Sequence, residues 1–333
     1  MDTVQGLEDY KLKEIQNIAL SHIDFLRENF HFEDLDFFIQ NIRPFGSRIS
    51  GFSKKNSDLD IKIEYTGNAR EDDLFNALND KKAKLKIENI KVDFYPEKIE
   101  AWAFPRRGNW ATHVSDWRGN WSPEVARNLI LRYSKEGEVL LDSMIGGGTT
   151  AIEAKILNRN IIYSDVNQEA LDRTKKSLGF KVENKSWQRG FKWDSRNLSK
   201  LEDNSIDLVL THPPYVDIIK YSEGKLVDDL SNIHDIEAFC DEMEKVAKEF
   251  FRVLKPGKFC AILMGDTRRN KMYQPLAYRV MDRFLKAGLL LKEDIIKRQF
   301  NCKATGFWVT KSKESNFLLI MHEHLFVFVK MLK

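Results

Sequence analysis

The segment 211–215 joins two polar side chains, two prolines and an aromatic ring, Thr-His-Pro-Pro-Tyr, directly after an apolar run. Proline cannot donate to a sheet ladder, so a strand over residues 206–210 must end there and pass into a stiff turn. In an open parallel sheet, ligands bind at the carboxyl ends of the strands. The sequence therefore predicts that this turn lies in a binding site.

A second candidate site lies in the run VLLDSMIGGGTTAIEAKILNRNIIYSDVN, which reads as a strand, a glycine-rich turn, a helix and a second strand. Glycines 146–148 let backbone N–H groups approach a ligand, and a helix beginning near Thr149 presents its positive end. Asp165 ends the second strand, where a carboxylate can accept hydrogen bonds from a ribose diol. No Lys-Ser/Thr follows the glycines, so the turn is not a P-loop. The pattern predicts a ligand that contains adenosine and no triphosphate.

A third group of candidate residues lies near the N-terminus, where Gly46 and Ser47 precede Asp58 and Asp60, and Asp93 follows on a later strand. Because side chains alternate along a strand, Asp58 and Asp60 are expected on one face. With Asp93 they could hold two Mg²⁺ ions there. Gly46 and Ser47 at a helix start could bind the outer phosphates of a nucleoside triphosphate.

The elements that must position this acidic cluster form a small N-terminal region. Apolar residues at helical spacing predict an amphipathic helix over 8–29. Alternating apolar and polar residues predict strands over 58–65 and 86–95, with a helix over 71–80 between them. The sequence thus indicates a small α+β domain over residues 1–100.

Residues 101–333 have a different pattern and form the second predicted domain. After a Gly/Pro/Trp-rich segment that reads as a structured loop or linker, short apolar strands alternate with helical stretches. This alternation indicates an α/β fold with a doubly wound, mainly parallel sheet. The run NFLLIMHEHLFVFVK is predicted to form paired strands that close one edge of the sheet.

The composition is that of an ordinary soluble protein, with 42% hydrophobic and 31% charged residues among 333. No apolar run reaches the about 18 residues of a membrane span, and the N-terminus has no signal-peptide pattern. Cys240, Cys260 and Cys302 lack paired spacing, so they indicate neither a disulfide framework nor a zinc site. We therefore expect a cytoplasmic protein with no membrane partner.

The net charge of +3 is distributed unevenly. Residues 1–100 contain 15 Lys/Arg and 20 Asp/Glu, and residues 101–333 contain 38 and 30. The segment 268–313 alone has 12 basic and 3 acidic residues. Such a segment is typical of a surface that binds a phosphate backbone, and a solvated basic face is the alternative. The residues expected to face that backbone are Arg268, Arg269, Lys271, Lys297, Arg298 and Lys303.

In order along the chain, LDSMIGGGTTAIEA, YSDVN, THPPY, RVLKPGKF and HEHLFVFVK resemble the motifs of the S-adenosylmethionine-dependent DNA amino-methyltransferases. The resemblance covers about residues 104–333. It implies a Rossmann-like class I methyltransferase sheet, S-adenosyl-L-methionine as cofactor, double-stranded DNA as partner, and a role in restriction-modification or defence beside a cognate protein. The residues that it assigns to the cofactor are Asp142, Gly146, Gly148, Thr149, Asp165, Asp194 and Thr211.

The resemblance also gives the Pro-Pro turn a role, because these enzymes methylate N4 of cytosine or N6 of adenine. An exocyclic amino nitrogen is a poor nucleophile until acceptors bind its hydrogens and localise its lone pair. The expected acceptors are the side chain or carbonyl of His212 and the carbonyl of Pro213, held rigid by Pro214. Tyr215 is expected to stack on a base flipped out of the duplex.

His212 departs from the Asp, Ser or Asn that is usual at this position in the family. An imidazole accepts a hydrogen bond only in the right tautomer, and a structural role for the ring is the alternative. The preceding Thr211 resembles the Thr-Ser-Pro-Pro-Tyr form of the N4-cytosine enzymes. This likeness favours cytosine N4 over adenine N6.

The N-terminal acids and the Gly-Ser pair before them resemble the minimal nucleotidyltransferase, or polymerase-beta-like, domain over about residues 35–98. The resemblance implies Mg²⁺ and a nucleoside triphosphate in this region if the domain is active, and an ordinary acidic strand is the alternative. For the whole chain, two alternatives stay open. One is a methyltransferase of RNA amino groups, and the other is a nucleotide-sensing regulator that binds nucleotide without chemistry.

Overall fold

The computed structural model describes residues 4–30, 35, 37–50, 53–54, 57–67, 69–98, 102–104, 107–299 and 305–332. The chain divides into two compact units, Met1–Trp102 and Ala103–Lys333. None of the described helices is long and apolar enough to cross a membrane.

The front unit is built on a four-stranded mixed sheet. Its strands are β1 (Phe37–Phe45), β2 (Leu59–Gly67), β3 (Lys86–Ile87) and β4 (Ile90–Lys98), in the order β1-β2-β4-β3. Its helices are α1 (Leu12–Asn29), α2 (Ser47–Ser50) and α3 (Glu71–Leu78). Strand β2 runs antiparallel to β1 and parallel to β4. The run predicted as a single strand over 86–95 is instead a tight hairpin of β3 and β4, with Glu88 at a positive φ of 54° in its turn.

The spacing of apolar residues explains how α1 packs. Ile15, Ala19, Ile23 and Leu26 recur every three or four residues, so they share one face of the helix, and all four are buried in the core of the front unit. The opposite face is polar and exposed. The predicted amphipathic helix is therefore confirmed, with its start moved from residue 8 to Leu12.

In the large unit, helices alternate with strands. The strands are β5 (Trp102–Ala103, at the boundary), β6 (Val139–Asp142), β7 (Asn160–Ser164), β8 (Gln188–Phe191), β9 (Ile206–Thr211), β10 (Leu254–Met264), β11 (Thr267–Arg269), β12 (Met272–Gln274), β13 (Leu290–Arg298) and β14 (His322–Val329). The helices are α4 (Pro123–Tyr133), α5 (Thr149–Ile156), α6 (Gln168–Ser177), α7 (Ile236–Val253), α8 (Leu276–Lys286) and α9 (Thr305–Ser315).

The strands of the large sheet are neighbours in the order β13-β14-β10-β9-β6-β7-β8. Strands β10, β9, β6, β7 and β8 are parallel, and β14 runs antiparallel to both β10 and β13. The chain order reverses at β6, since β7 and β8 lie on one side and β9 and β10 on the other. The prediction of a doubly wound, mainly parallel sheet is confirmed.

The expectation of paired strands in NFLLIMHEHLFVFVK is wrong. Only His322–Val329 form a strand, and it lies inside the sheet between β10 and β13 rather than at an edge. Its second half, Leu325–Phe328, is fully buried, so both faces of the sheet are covered there. A strand buried on both faces shows no alternation, so its pairing could not be deduced from the run itself.

Candidate active site

A cavity opens at the carboxyl ends of β6, β7 and β9, beside the strand where the chain order reverses. It encloses about 780 Å³, counting solvent at its mouth. Sheet crevices of this kind are the usual ligand sites of doubly wound folds. The predicted residues that line it are Asp142, Gly146, Asp165, Asp194, His212 and Pro214.

The glycine-rich turn connects β6 to α5. Gly146 and Gly148 have positive φ angles of 50° and 87°, which favour glycine. The N–H of Gly147 donates to Asn120 Oδ1 at 3.2 Å, and a Cβ on Gly147 would overlap the Asn120 side chain. A Cβ on Gly148 would lie 2.9 Å from Thr174 Oγ1. The glycines therefore admit close neighbours as well as an approaching ligand.

Two of the residues predicted to bind the cofactor lie outside this cavity. Gly148 and Thr149 do not line it. Thr149 is 2% exposed in the first turn of α5, where its side chain packs inward. Their position differs from the expectation because the chain has already turned into the helix, and Gly146 alone of the predicted turn residues borders the space.

Asp165 follows β7 and is held by backbone donors. Its Oδ2 accepts from Gly146 N–H at 3.1 Å, and its Oδ1 accepts from Asn167 N–H at 2.9 Å. Burial raises the pKa of this carboxyl to about 6, although the two N–H groups oppose the rise. A carboxylate oriented in this way has lone pairs left for hydroxyl groups in the cavity.

Asp142 and Thr211 have a structural connection that the sequence did not reveal. The Thr211 hydroxyl donates to Asp142 Oδ1 at 2.7 Å, and Thr150 donates to Oδ2 at 2.6 Å. Burial raises the pKa of Asp142 to about 6. Thr211 is fully buried and does not line the cavity, so its hydroxyl ties β9 to β6 instead of facing a ligand.

Asp194 lies at the far wall of the cavity in an ion-pair network. Arg196 Nη2 donates to Asp194 Oδ2 at 2.6 Å, and Arg196 Nη1 donates to Glu242 Oε2 at 2.7 Å. The side chain of Asp194 keeps 24% of its surface exposed. The paired arginine fixes the carboxylate at the cavity wall and leaves one side of it accessible.

The Pro-Pro turn carries a chain of hydrogen bonds that ends on the neighbouring strands. Tyr215 Oη donates to Glu323 Oε1 at 2.7 Å, and His212 Nε2 lies 2.6 Å from Tyr215 Oη. Lys297 Nζ contacts Glu323 Oε2 at 2.6 Å. Since a carboxylate only accepts and a tyrosine has one hydroxyl proton, His212 Nε2 must be the donor to Tyr215. The network thus selects the tautomer whose Nδ1 is an acceptor.

Burial acts on both rings of this chain. It lowers the pKa of His212 to about 4, so the imidazole is neutral at physiological pH. Burial also raises the pKa of Tyr215 well above its ordinary value, with Glu323 as the next cause. Glu323, 5% exposed on β14, is a site residue that the sequence reasoning did not single out.

A second cavity of about 1410 Å³, again counting solvent, lies on the other side of the Pro-Pro turn. Its lining includes Pro213, Tyr215, Glu323 and Lys297. The walls of both cavities contain Gly119, Asn120, Trp121, His212, Pro214 and Tyr221. The Pro-Pro turn therefore separates two adjoining spaces.

The backbone around Tyr215 is tightly constrained. A Cβ on Gly265 would overlap the Tyr215 ring, so the glycine allows the strand end to approach it. The next residue, Val216, is fully buried and has a positive φ of 55°, a conformation that β-branched residues rarely adopt. A strained backbone conformation persists only where the surrounding contacts hold it in place. Such conformations occur most often at functional sites.

The Gly/Trp-rich segment before α4 forms part of the site rather than a simple linker. Trp121 stacks on His212 with ring centroids 5.9 Å apart, and Trp117 stacks on Tyr221 at 6.4 Å. The fully buried Glu153 anchors the same segment, since it accepts from Trp110 Nε1 at 2.6 Å and contacts His113 Nε2 at 2.7 Å.

The predicted basic surface is divided by the fold. Lys297, 16% exposed, is paired with Glu323 inside the second cavity, which differs from the expectation of an outer surface. Arg269 is ion-paired with Asp217, and the Arg268 guanidinium lies 4.6 Å over the Phe317 ring. Lys271 is exposed at the β11–β12 turn, and Arg298 ends β13. Lys303 lies outside the described residues.

In the front unit, considered alone, the five predicted residues come together. Asp60 and Asp93 are register neighbours on the parallel strands β2 and β4. A Cβ on Gly46, which has a positive φ of 79°, would overlap the Asp60 carboxylate, and Ser47 begins α2. Burial and the neighbouring Asp93 raise the pKa of both Asp58 and Asp60. One cation, Lys84, contacts Asp93.

The chain is similar to known DNA methylases. Residues 9–176 and 206–333 match the family described as "DNA methylase" (N6_N4_Mtase). Two curated relatives are the Type II methyltransferase M.MthZI of Methanothermobacter thermautotrophicus, 29% identical over 41% of this chain and 42% of the relative, and the Type II methyltransferase M2.DpnII of Streptococcus pneumoniae, 31% identical over 32% and 34%. The match thus spans less than half the length of either relative.

Among solved structures, TrmN from Thermus thermophilus is 18% identical over 64% of this chain and 50% of that chain, with a TM-score of 0.43. A methyltransferase from Pyrococcus furiosus is 16% identical over 66% and 88%, with a TM-score of 0.41. The strand order, with β14 antiparallel between β10 and β13, is the Rossmann-like class I methyltransferase sheet that the sequence predicted. Because the family match covers most of the chain, this protein belongs to the DNA methylase family.

Proposed function

We propose that this protein is an S-adenosylmethionine-dependent DNA methyltransferase that transfers a methyl group to an exocyclic amino group of a base. The observation that carries the proposal is the pair of adjoining cavities that share His212 and Pro214 as a wall. A donor in one cavity and a base in the other would meet at this wall. Membership of the DNA methylase family supports both the donor and the class of acceptor.

The first cavity fits the cofactor on its own chemistry. Asp165 is a buried carboxylate with lone pairs left for the two ribose hydroxyls, and Asp194 would lie beside the adenine. The segment from Asp142 to Gly146 would hold the methionine end. When bound, the cofactor supplies an electrophilic methyl group. The residues of the cavity then have to orient it and exclude water.

The second cavity would receive the target base, which must leave the duplex to reach it. His212, in the shared wall, and the carbonyl of Pro213, which lines the second cavity, would bind the amino hydrogens and direct the nitrogen lone pair. Tyr215, held by Glu323, would support the base with its ring. Burial keeps His212 neutral, and the hydrogen bonds through Tyr215 to Glu323 fix the tautomer whose Nδ1 is unprotonated.

We favour N4 of cytosine over N6 of adenine, and this preference rests on the likeness of Thr211-to-Tyr215 to the N4-cytosine form. The Thr211 hydroxyl itself is committed to Asp142, so it would act on the target only through the position of the turn. By analogy with the two Type II methyltransferases, we propose a role in restriction-modification or defence beside a cognate protein. Methylation of RNA amino groups is the alternative.

A second candidate function belongs to the front unit, where we propose a nucleotidyltransferase-like site that binds Mg²⁺ and a nucleoside triphosphate. The gathering of Asp58, Asp60 and Asp93 beside the Gly46-Ser47 turn supports it. Carboxylates that lie close together are unfavourable without a cation. The family match begins at residue 9, so it does not identify this unit separately. A nucleotide sensor without chemistry would use the same residues.

Long-read modification mapping tests the main proposal. The protein is expressed in a bacterial host that lacks its own DNA methylation, and genomic DNA is compared with DNA from cells that express Tyr215→Ala. We expect one modified base type in a short recurrent sequence with the wild type and none with the variant. Unmodified DNA with a folded, soluble wild-type protein would contradict DNA methylation, and methylated RNA in the same cells would establish the alternative.

A further inference from the structure

Three metal-ligating side chains meet at one side of the second cavity. Asp266 follows β10, and His322 and His324 lie two residues apart on β14, so their side chains share a face of the sheet. Met264 pairs with His324 in the register of β10 and β14, which brings Asp266 close to both imidazoles. One ligand atom from each of the three residues lies within 4.8 Å of the others.

His324 is oriented as a metal-binding histidine would be. Its Nδ1 lies 3.1 Å from Asp294 Oδ1, so an N–H at this position donates to that carboxylate. Its Nε2 is buried and has no hydrogen-bond partner among the described residues; Asp266 Oδ2 is 3.6 Å away. Ligating histidines almost always donate their other N–H to a carboxylate or carbonyl, which fixes the tautomer and turns the free nitrogen toward the ion.

Asp266 is also held in place by other groups. Its Oδ1 accepts from Ala277 N–H at 2.8 Å, and Tyr273 donates its hydroxyl to Oδ2. A carboxylate has about four lone-pair sites, so these bonds leave capacity for a metal ion. The methyl-transfer proposal uses none of Asp266, His322 and His324, and the buried histidine nitrogen has no role in it.

We propose that Asp266, His322 and His324 bind a divalent transition-metal ion of the zinc type. Two imidazoles and one carboxylate are ligands that Zn²⁺ and its first-row neighbours prefer, whereas Mg²⁺ and Ca²⁺ prefer oxygen ligands. On a tetrahedral ion with bonds of about 2.1 Å, ligand atoms are separated by about 3.4 Å, so small rotations of the side chains complete the site.

Three protein ligands leave a fourth position on the ion. Asp266 and His322 line the second cavity, so this position opens toward the space proposed for the base. The ion would fasten β14, which carries Glu323, to the end of β10. Without an ion, the competing arrangement is a protonated His324 held between the carboxylates of Asp266 and Asp294.

Cobalt spectroscopy on the tag-free, full-length protein tests the site without reference to activity. Protein treated with a chelator is titrated with Co²⁺, and the visible absorption bands of the bound ion are followed. We expect one equivalent to bind and Zn²⁺ to displace it. The same titration is made on His322→Gln and Asp294→Asn. As the matched control we use His234→Gln, which alters an exposed histidine paired with Asp217 outside the cluster.

His322→Gln removes a ligand and is expected to lower Co²⁺ affinity by more than tenfold. Asp294→Asn removes the carboxylate behind His324 and is expected to lower it by about 10–100-fold, while His234→Gln leaves it unchanged. Circular dichroism establishes that each variant is folded, and Asp294→Asn decides the matter if His322→Gln does not fold. No one-to-one binding, or equal binding by wild type and both cluster variants, would overturn the proposal and leave the protonated His324.

Discussion

The two units both place carboxylates at the ends of strands, but they surround them differently. In the large unit, Asp142 and Asp165 are each satisfied by hydroxyl or backbone N–H donors. In the front unit, Asp58 and Asp60 lie against Asp93, and the pKa of both is raised by burial and by that neighbour. Carboxylates bonded to neutral donors suit a ligand with hydroxyl groups, whereas carboxylates that face one another suit a cation.

The Tyr215 ring belongs to the site of the large unit, so its removal should separate the two sites most strongly. Tyr215→Ala is expected to lower methylation by about 100-fold or more, because base stacking alone contributes about 1–3 kcal/mol and the variant also releases His212. Cofactor binding, measured by calorimetry, should be nearly unchanged. Tyr215→Phe keeps the ring and loses the bridge to Glu323, so it should lie between wild type and Ala. Wild-type turnover in Tyr215→Ala would refute this role.

Asp165→Ala tests whether this carboxylate of the large unit binds a hydroxyl ligand. S-adenosylmethionine affinity should fall by about 1.5–3 kcal/mol, the scale for a hydrogen bond to a charged group. Since the pKa of Asp165 is raised to about 6, wild-type affinity should weaken as pH falls through 6 and the carboxylate is protonated. Asp165→Asn should lose this pH dependence. Calorimetry that gives equal affinity for wild type and Asp165→Ala would exclude Asp165 from the cofactor site.

The site proposed in the front unit should bind Mg²⁺ together with a nucleotide, and this binding can be tested by thermal unfolding. Mg²⁺ with a nucleoside triphosphate should raise the melting temperature of the wild type by a few degrees, but not that of Asp58→Ala/Asp60→Ala, because binding to the native state stabilises it. Asp72→Ala/Asp73→Ala removes the same charge from the exposed start of α3 and serves as the control. Absence of a shift with any of the four common triphosphates would indicate a structural domain.

Methylation is expected to survive in the folded Asp58→Ala/Asp60→Ala variant. The two activities are proposed for different units, and each unit holds its own acids. Turnover on duplex DNA at saturating S-adenosylmethionine measures the effect. Loss of methylation in this variant would show instead that the two functions are coupled.

His212 offers a smaller test within the large unit. His212→Asn introduces a residue that is usual in the resembling family, and its side-chain carbonyl can accept the same hydrogen bond. Turnover should remain within about tenfold of the wild type, since one neutral hydrogen bond is worth about 0.5–1.5 kcal/mol. Because the pKa of His212 is about 4, it should not contribute a step to the pH–rate profile between 6 and 8. A step that disappears in His212→Asn would contradict this.

The smallest expected effect is a difference between Lys271 and Lys297, which the sequence analysis assigned to the same basic surface. Lys271 is exposed, so Lys271→Ala should reduce the slope of log affinity against log salt by about 0.9 if it contacts a phosphate. Lys297 is paired with Glu323, so Lys297→Ala should leave the slope unchanged and lower turnover. Binding to duplex DNA at several salt concentrations measures both slopes. Equal changes would place both residues on the same surface.

The parts of the site that the sequence predicted depend on local chemistry. Glycines at 146–148 and prolines at 213–214 constrain their own backbone, so a turn after a strand can be recognised from a few residues. The parts that it missed depend on contacts between distant positions. Glu323 meets Tyr215 108 residues away, and Asn120 meets Gly147 27 residues away. No periodicity or spacing in the sequence identifies such partners. The positive charge of Lys297 likewise does not indicate which carboxylate pairs with it.

The same reason explains the error over the closing strand. Strand β14 is covered on both sides, and its pairing with β13 crosses the segment that contains α9. Alternation, the usual signal of a strand's face, is absent from its buried half. The doubly wound sheet was predictable because the parallel strands β6, β7 and β9 are each followed along the chain by an α-helix whose pattern is visible by itself.

The most direct test of the central claim is mass spectrometry of nucleosides from duplex DNA incubated with the purified protein and S-adenosylmethionine that carries a deuterated methyl group. We expect label on an exocyclic amino nitrogen, as N4-methylcytosine, with no label after incubation with Tyr215→Ala. Label on N6 of adenine would correct the base and keep the mechanism. Label on a ring carbon, or unlabelled DNA beside labelled RNA, would contradict the account.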